Sequence, residues 1–232
     1  MSVHNGHRER MRQRFLKFGL ENFCDHEILE MLLFYCVPRY NTNEIAHRLI
    51  DQFGSLSRVI NAPVEALMKV KGVGPSIATY LSLLKATHRH LGIAQANQCD
   101  TIRSPEEYIA YLRNFFVGID HEVVYVLCMD VKGTVLDCCL VSEGDVTAVN
   151  LPARKVVETA LGCKATSVVL AHNHPGGFAM PSEFDHQATY MLAKTLYLTG
   201  VMLYDHVILT DHDYVSMRMT NVFDFDKLWR DE

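Results

Sequence analysis

A small all-α domain followed by an α/β (α+β) domain is the fold class that this 232-residue sequence predicts. Three observations predict it. Residues 8–91 place apolar side chains at helical spacing, with no β-branched alternation. Residues 92–105, GIAQANQCDTIRSP, form a polar break containing Gly, Asn, Asp, Ser and Pro. Beyond the break, apolar strand-like runs alternate with helical ones. The domains are therefore expected at 1–97 and 101–232.

Each element follows in order. RERMRQRFLKFG (8–19) reads as a helix closed by Gly19. CDHEILEMLLFYC (24–36) carries Ile28, Met31, Leu32 and Tyr35 on one stripe, with Asp25 as the expected N-cap and Pro38 beyond its end. Residues 41–54 form a helix capped near Thr42 or Asn43 and ended by Gly54. Helices at 62–70 and 75–91 follow, separated by KGVG. After a short helix at 105–116, HEVVYVLCMDVKGTVLDCCLVSEG reads as a β-hairpin with strands 122–129 and 134–142 and a turn from Asp130 to Gly133. A helix at 152–163 with Pro152 at its first position, a buried strand at 166–172, a helix at 182–200 and a strand at 201–210 complete the pattern. The tail, 221–232, carries Phe223, Phe225 and Trp229 and reads as a short packed helix.

Composition narrows the class. No apolar run approaches the roughly 18–20 residues needed to span a bilayer. The opening MSVHNGHRERMRQRF lacks an apolar core and a cleavage site, so it is not a secretory signal and the protein reads as cytoplasmic. Seven cysteines, an odd number without a C-x-x-C pair, fit free thiols in a reducing compartment. Charge is uneven: residues 1–100 hold 12 lysines and arginines against 9 acids, residues 101–232 hold 10 against 18. A mildly basic first part and an acidic second part suggest units with different partners, although ordinary surface variation produces offsets of this size.

The segment AHNHPGGFAMPSEFD (171–185) carries the chemistry. His172 ends an apolar strand, and His174 shares its face because side chains two apart in a strand point the same way. A Pro/Gly-rich loop then turns the chain into a helix whose first turn holds Asp185. Two imidazoles and one carboxylate leave a fourth tetrahedral position for water, the arrangement of catalytic rather than structural zinc. Nitrogen and hard oxygen donors suit Zn²⁺, and spacing alone admits other divalent ions. A plainer role coexists: Ser182 and Asp185 form an S-x-x-D helix start, with Ser182 as N-cap.

The spacing H-x-H, seven residues, Ser, two residues, Asp resembles the JAMM (MPN+) signature of metallopeptidases. With Asn173, Pro175, Pro181 and the later pair Asp205-His206, the wording over about residues 101–220 is similar to that of the bacterial RadC family. The helical first domain resembles that family's N-terminal region. One departure is Gly176, where the family has serine; it bears on the loop's conformation and touches no ligand. The resemblance implies a curved mixed β-sheet flanked by helices, of JAB/MPN or cytidine-deaminase-like architecture. It implies a zinc-dependent metallopeptidase or isopeptidase acting on a peptide or isopeptide substrate. It also implies a strand-opening glutamate as general base, which Glu122 matches best, with Glu143 and Glu158 as rivals. Ser182 is then the donor to the developing oxyanion. Asp205 and His206 are either orienters of the ligands or a polar strand end. His186 and His212 read as surface residues.

VKGVGPSIATYLSLL (70–84) resembles a helix-hairpin-helix, with Ala78 and Leu81 inward and Lys69 and Lys71 nearby. Glycines and a helix N-terminus suit a phosphate, so residues 69–79 are a candidate DNA-backbone contact, against a plain packing hairpin. A DNA-associated protein, including a metal-dependent nuclease, is accordingly the alternative to the hydrolase, and a non-catalytic binding module is the third reading. The lack of further clustered carboxylates disfavours a nuclease. A zinc deaminase needs H-x-E and P-C-x-x-C, which this sequence lacks.

Overall fold

The computed structural model describes residues 3–38, 41–98, 101–144 and 152–227. The chain divides into two compact units, residues 1–88 and 89–232. The division lies inside a helix that runs to Ala96, a few residues ahead of the polar break at 92–105.

The first unit is helical: α1 (Val3–Phe18), α2 (Asp25–Cys36), α3 (Thr42–Phe53), α4 (Leu56–Asn61), α5 (Val64–Leu67) and the first part of α6 (Pro75–Ala96). Leu29, Leu33, Leu49, Leu67 and Leu81 converge as its inaccessible core. Two caps differ from expectation. Cys24 is the N-cap of α2, and Asp25 instead accepts the Leu56 N–H at the start of α4 (2.8 Å). Asn41 caps α3, its side chain accepting the Asn43 N–H (3.2 Å), because it is the residue whose backbone is extended. The helix expected at 62–70 shortens to α5, since Val70 and Val73 close tight turns onto Leu67 and Val70. In the hairpin, Val70, Val73, Ala78 and Leu81 pack inward while Lys69, Lys71 and Gly72 are exposed. Gly72 has φ +97°, a conformation that favours glycine, and a Cβ there would crowd the Ile45 side chain at 3.2 Å.

The second unit adds α7 (Pro105–Phe116), β1 (Val123–Met129), β2 (Val135–Glu143), α8 (Ala153–Gly162), β3 (Ser167–Asn173), α9 (Glu183–Tyr197), β4 (Met202–Leu209) and β5 (Tyr214–Ser216). Its open mixed sheet runs β2-β1-β3-β4-β5, with only the β3–β4 pair parallel. A parallel pair needs a crossover, which α9 supplies. β1 and β3 are buried on both faces, which explains their unbroken apolar runs. Pro152 is the N-cap of α8 rather than its first residue. α9 stops at Tyr197, short of Gly200, and β5 was not expected. Residues 221–226 pass through turns rather than the expected helix, with Phe225 buried; Trp229 lies outside the described residues. Cys99 also lies outside them; the described cysteines are free thiols.

The sheet has two dissimilar faces. Val124, Val126, Val168, Leu170 and Ile208 pack with residues of α8 and α9. Val123, Tyr125, Val169, Ala171 and Val207 pack with residues of α7. Strict alternation would carry the face of Leu203 to Asp205. Instead Val168 pairs with Leu203 and Val169 with Asp205, so Tyr204 is an extra residue in β4. This bulge reverses the alternation downstream: Asp205 falls on the α7 face and His206 on the α9 face.

Candidate metal centre

β3 delivers the first ligand candidate. His172 pairs with Val124 and Ile208, which fixes its side chain on the α9 face, where it is 4% exposed. The His174 N–H bonds the Leu209 carbonyl (2.8 Å), extending the parallel register past the end of β3. The loop then folds on itself, with Gly177 N–H to His174 O (3.2 Å). Gly176 has φ +68°, a conformation that glycine adopts freely and that a serine would resist, so the departure at this position is matched by the loop's shape. Ser182 caps α9: its hydroxyl oxygen accepts the Asp185 N–H (3.2 Å), and its own N–H and O–H donate to Asp185 Oδ2 (2.7 and 2.6 Å). These bonds lock the Asp185 rotamer and leave Oδ1 3.2 Å from His172 Nε2.

His172, His174 and Asp185 form the group of potential metal ligands among the described residues, with ligand atoms all within 4.8 Å of one another. His172 Nε2 and His174 Nε2 are 2.9 Å apart, and His174 Nε2 is 3.7 Å from Asp185 Oδ2. An ion with tetrahedral bonds of ~2.0–2.1 Å holds its donor atoms about 3.3 Å apart, so the spacing fits. The chemistry fits too. His174 Nδ1 lies 3.1 Å from the Phe178 carbonyl, which can only accept, so Nδ1 carries the proton and Nε2 presents a lone pair to the centre. Burial pushes the His172 pKa down to about 4, which keeps the ring neutral. For Asp185, burial acts to raise the pKa, but His172 and the Ser182 hydrogen bonds outweigh it and hold the carboxyl below its ordinary value. Neutral imidazole and ionised carboxylate are the protonation states a metal requires.

Glu122 immediately precedes β1 and is half-buried, and its carbonyl accepts the Gly144 N–H (2.9 Å). Val124 pairs with His172, so two residues earlier Glu122 continues the register opposite His174, with the parity of the α9 face. It is not within the ligand group itself. The rivals are engaged elsewhere: Glu143 pairs with His121 (2.9 Å) and Glu158 with Arg154 (2.7 Å). Asn173, between the two histidines, entered the sequence reading only as part of the family's wording, with no role. It is buried, accepts the Val123 N–H (2.8 Å) and donates to the His121 carbonyl (2.9 Å), so it grips the peptide groups on both sides of Glu122.

The pair Asp205-His206 separates. His206 Nε2 is 2.8 Å from His172 Nδ1, and its Nδ1 is 2.6 Å from the Thr189 hydroxyl of α9. Asp205, on the other face, is fully buried and accepts from Tyr108 O–H (2.7 Å), Ser216 O–H, Arg218 N–H (2.9 Å) and His206 N–H (2.7 Å). Burial still raises its pKa against those bonds. Thr189 was missed from sequence; its only local signal is its place one turn beyond Asp185. His186 is half-buried rather than at the surface, while His212 is exposed.

An open mixed sheet that carries two histidines and a carboxylate where a strand passes into a helix has the form of a JAB-type domain. Residues 102–222 match the model of the RadC-like JAB domain, and residues 4–79 match that of the UPF0758 N-terminal region. The chain is 33% identical over 212 residues to a UPF0758 protein of Ruegeria pomeroyi, covering 91% of this chain and 95% of that one. It is 32% identical over 218 residues to one of Fusobacterium nucleatum, covering 91% and 94%. The chain belongs to the UPF0758 family of proteins with a RadC-like JAB domain.

Proposed function

We propose that this protein is a zinc-dependent hydrolase of the JAMM type, a metallopeptidase or isopeptidase, with His172, His174 and Asp185 holding the metal. The observation that carries the reading is the convergence of His172 Nε2, His174 Nε2 and the Asp185 carboxylate at 2.9–3.7 Å, a donor set and spacing that suit a divalent cation. The chemistry zinc supplies when bound is Lewis acidity toward a carbonyl and a lowering of the pKa of water toward ~7. Glu122 takes the proton from the attacking water and passes it to the leaving amine. Ser182 turns its hydroxyl from Asp185 to the developing oxyanion. Asn173 keeps the Glu122 segment in register with the ligands.

The test pairs metal analysis with hydrolysis of a peptide and isopeptide library, with and without chelator. Expected are one zinc per chain, chelator-sensitive cleavage, loss of metal in His172→Ala, and retained metal with lost cleavage in Glu122→Gln. Zinc-loaded protein that cleaves nothing in the library but nicks DNA supports the nuclease reading, and one that does neither supports a binding module.

A second role rests on the exposed Lys69, Lys71 and Gly72 in the turns that precede α6, which we propose as a DNA-backbone contact. Binding of duplex DNA by the full chain should weaken with salt and be lost in the Lys69→Glu/Lys71→Glu variant. Equal affinity in that variant excludes the site. No described helix is long and apolar enough to cross a membrane. We also propose a cytoplasmic location, from the odd number of cysteines and the lack of a C-x-x-C pair in the sequence.

A further inference from the structure

His206 is 2% exposed and Thr189 is fully buried; neither offers an atom to the candidate metal position, but His206 meets His172, and Thr189 meets His206 and the Asp185 carbonyl. Thr189 Oγ1 has one proton and lies 2.6 Å from two atoms, the Asp185 carbonyl oxygen and His206 Nδ1, with the Met217 sulfur farther off at 3.5 Å. A carbonyl can only accept. Were the proton directed at His206 instead, two oxygens would face each other at 2.6 Å with nothing between them. The hydroxyl therefore donates to the carbonyl and its lone pair receives His206 Nδ1–H. A neutral ring protonated at Nδ1 has a bare Nε2, and this atom is the one 2.8 Å from His172 Nδ1. His172 must then donate from Nδ1, and its own Nε2 is left as a lone pair facing Asp185 and His174.

We propose that Thr189 and His206 are positioning residues that hold His172 as its Nδ1–H tautomer and so select Nε2 as the metal-binding atom. Metal-ligating histidines usually give their second N–H to a carboxylate or carbonyl. Here a second histidine takes that place, and the oxygen that sets its tautomer comes from α9, the same helix that carries Asp185. The strand bulge at Tyr204 is what turns His206 toward His172. The inference rests on the reading of His172 as a ligand, but its main test needs no metal.

In the metal-free, ¹⁵N-labelled full chain near pH 8, long-range ¹H–¹⁵N imidazole spectra should show both His172 and His206 protonated at Nδ1. A proton on Nε2 of His172 overturns the proposal. In Thr189→Val the hydroxyl is gone at nearly constant volume, so both tautomers of His206 should appear and zinc affinity should fall about 10- to 100-fold. Thr189→Ser, which keeps the hydroxyl, should restore the single tautomer and affinity within a few-fold. If Thr189→Val keeps both the wild-type spectra and the wild-type affinity, the relay has no positioning role. Failure of the metal reading is separate: full zinc stoichiometry in His172→Ala would remove His172 as a ligand while leaving the tautomer result intact.

Discussion

Asp205 and His206 are neighbours in one strand, yet they serve opposite faces of the sheet under opposite rules. Asp205 is a buried carboxylate surrounded by four donors, which tie α7, β5 and the segment after β5 to the strand. His206 faces a cluster in which acceptors outnumber donors. On the α7 face a single anion organises satisfied hydrogen bonds; on the α9 face two imidazoles and a carboxylate converge as a potential metal-binding group. The first arrangement stabilises the fold and the second is held in place by it, so stability and site chemistry are physically separable here.

The largest effect should come from breaking the satisfied face. In Asp205→Ala the Tyr108 and Ser216 hydroxyls and two backbone N–H groups lose their partner inside the core. A loss of about 3–5 kcal/mol is expected, because removing one member of a buried charged network leaves the others desolvated and unpaired. Urea titration checks this, and the fraction still folded should bind zinc with unchanged stoichiometry. Loss of metal from well-folded Asp205→Ala would show that the two faces are not independent.

The next effect is pH dependence, and its sign differs between the faces. The folded His172 pKa, about 4, lies below the ordinary 6.5, so the unfolded chain binds more protons between those values. Stability of the metal-free protein therefore falls as pH drops through that window, by on the order of 3 kcal/mol for this group. Asp205 works the other way: its folded pKa is raised, so its contribution is present in acid and is lost as pH rises through the folded pKa. Thermal melts of the metal-free protein between pH 4 and 7 should show a steep acid decline that His172→Ala flattens. An unchanged slope in that variant would shift the acid sensitivity from His172 to other groups, first to His206, whose pKa burial also lowers.

A smaller effect of unusual sign is expected at His174, which is half-exposed. His174→Ala removes one of three converging acceptors, so the metal-free protein should be as stable as wild type or more stable by about 1 kcal/mol. Stabilisation by zinc, about 2.7 kcal/mol at 100 times Kd in wild type, should disappear. A clear loss of metal-free stability would show that His174 is part of the scaffold.

This contrast also explains what the sequence could and could not reveal. His172, His174, Ser182 and Asp185 lie within one short strand-loop-helix segment, so spacing alone brings them together. The two-part fold class follows from periodicity for the same reason. Thr189, Asn173 and the separate duties of Asp205 and His206 depend on pairing between distant segments: β3 with β4, β1 with β3, and Tyr108 with Asp205 across 97 positions. The bulge at Tyr204 was illegible because MLYDHVIL alternates acceptably in either register, and only the partner strand decides which face receives the aspartate. The continuation of α6 through the polar stretch was missed because a helix that packs on only one side tolerates Gly92 and polar residues on the other.

The finest comparison sets the two serine caps against each other. Ser104 caps α7 and Ser182 caps α9, each accepting the N–H of the residue three positions on (3.4 and 3.2 Å). Replacement of either by alanine should cost about 1 kcal/mol of stability, the usual value of an N-cap. Only Ser182 also donates from N–H and O–H to the carboxylate that faces the ligand group. Ser182→Ala keeps the backbone donor but loses the hydroxyl, so Asp185 Oδ2 is held by one bond instead of two and the carboxylate can swing. Zinc affinity should then fall about tenfold in Ser182→Ala and stay unchanged in Ser104→Ala, as measured by competition with a chelating dye. Equal affinity in the two variants would reduce Ser182 to a helix cap. Loss of hydrolysis at full zinc loading would instead assign its hydroxyl to the oxyanion, because weakened binding no longer limits a saturated site.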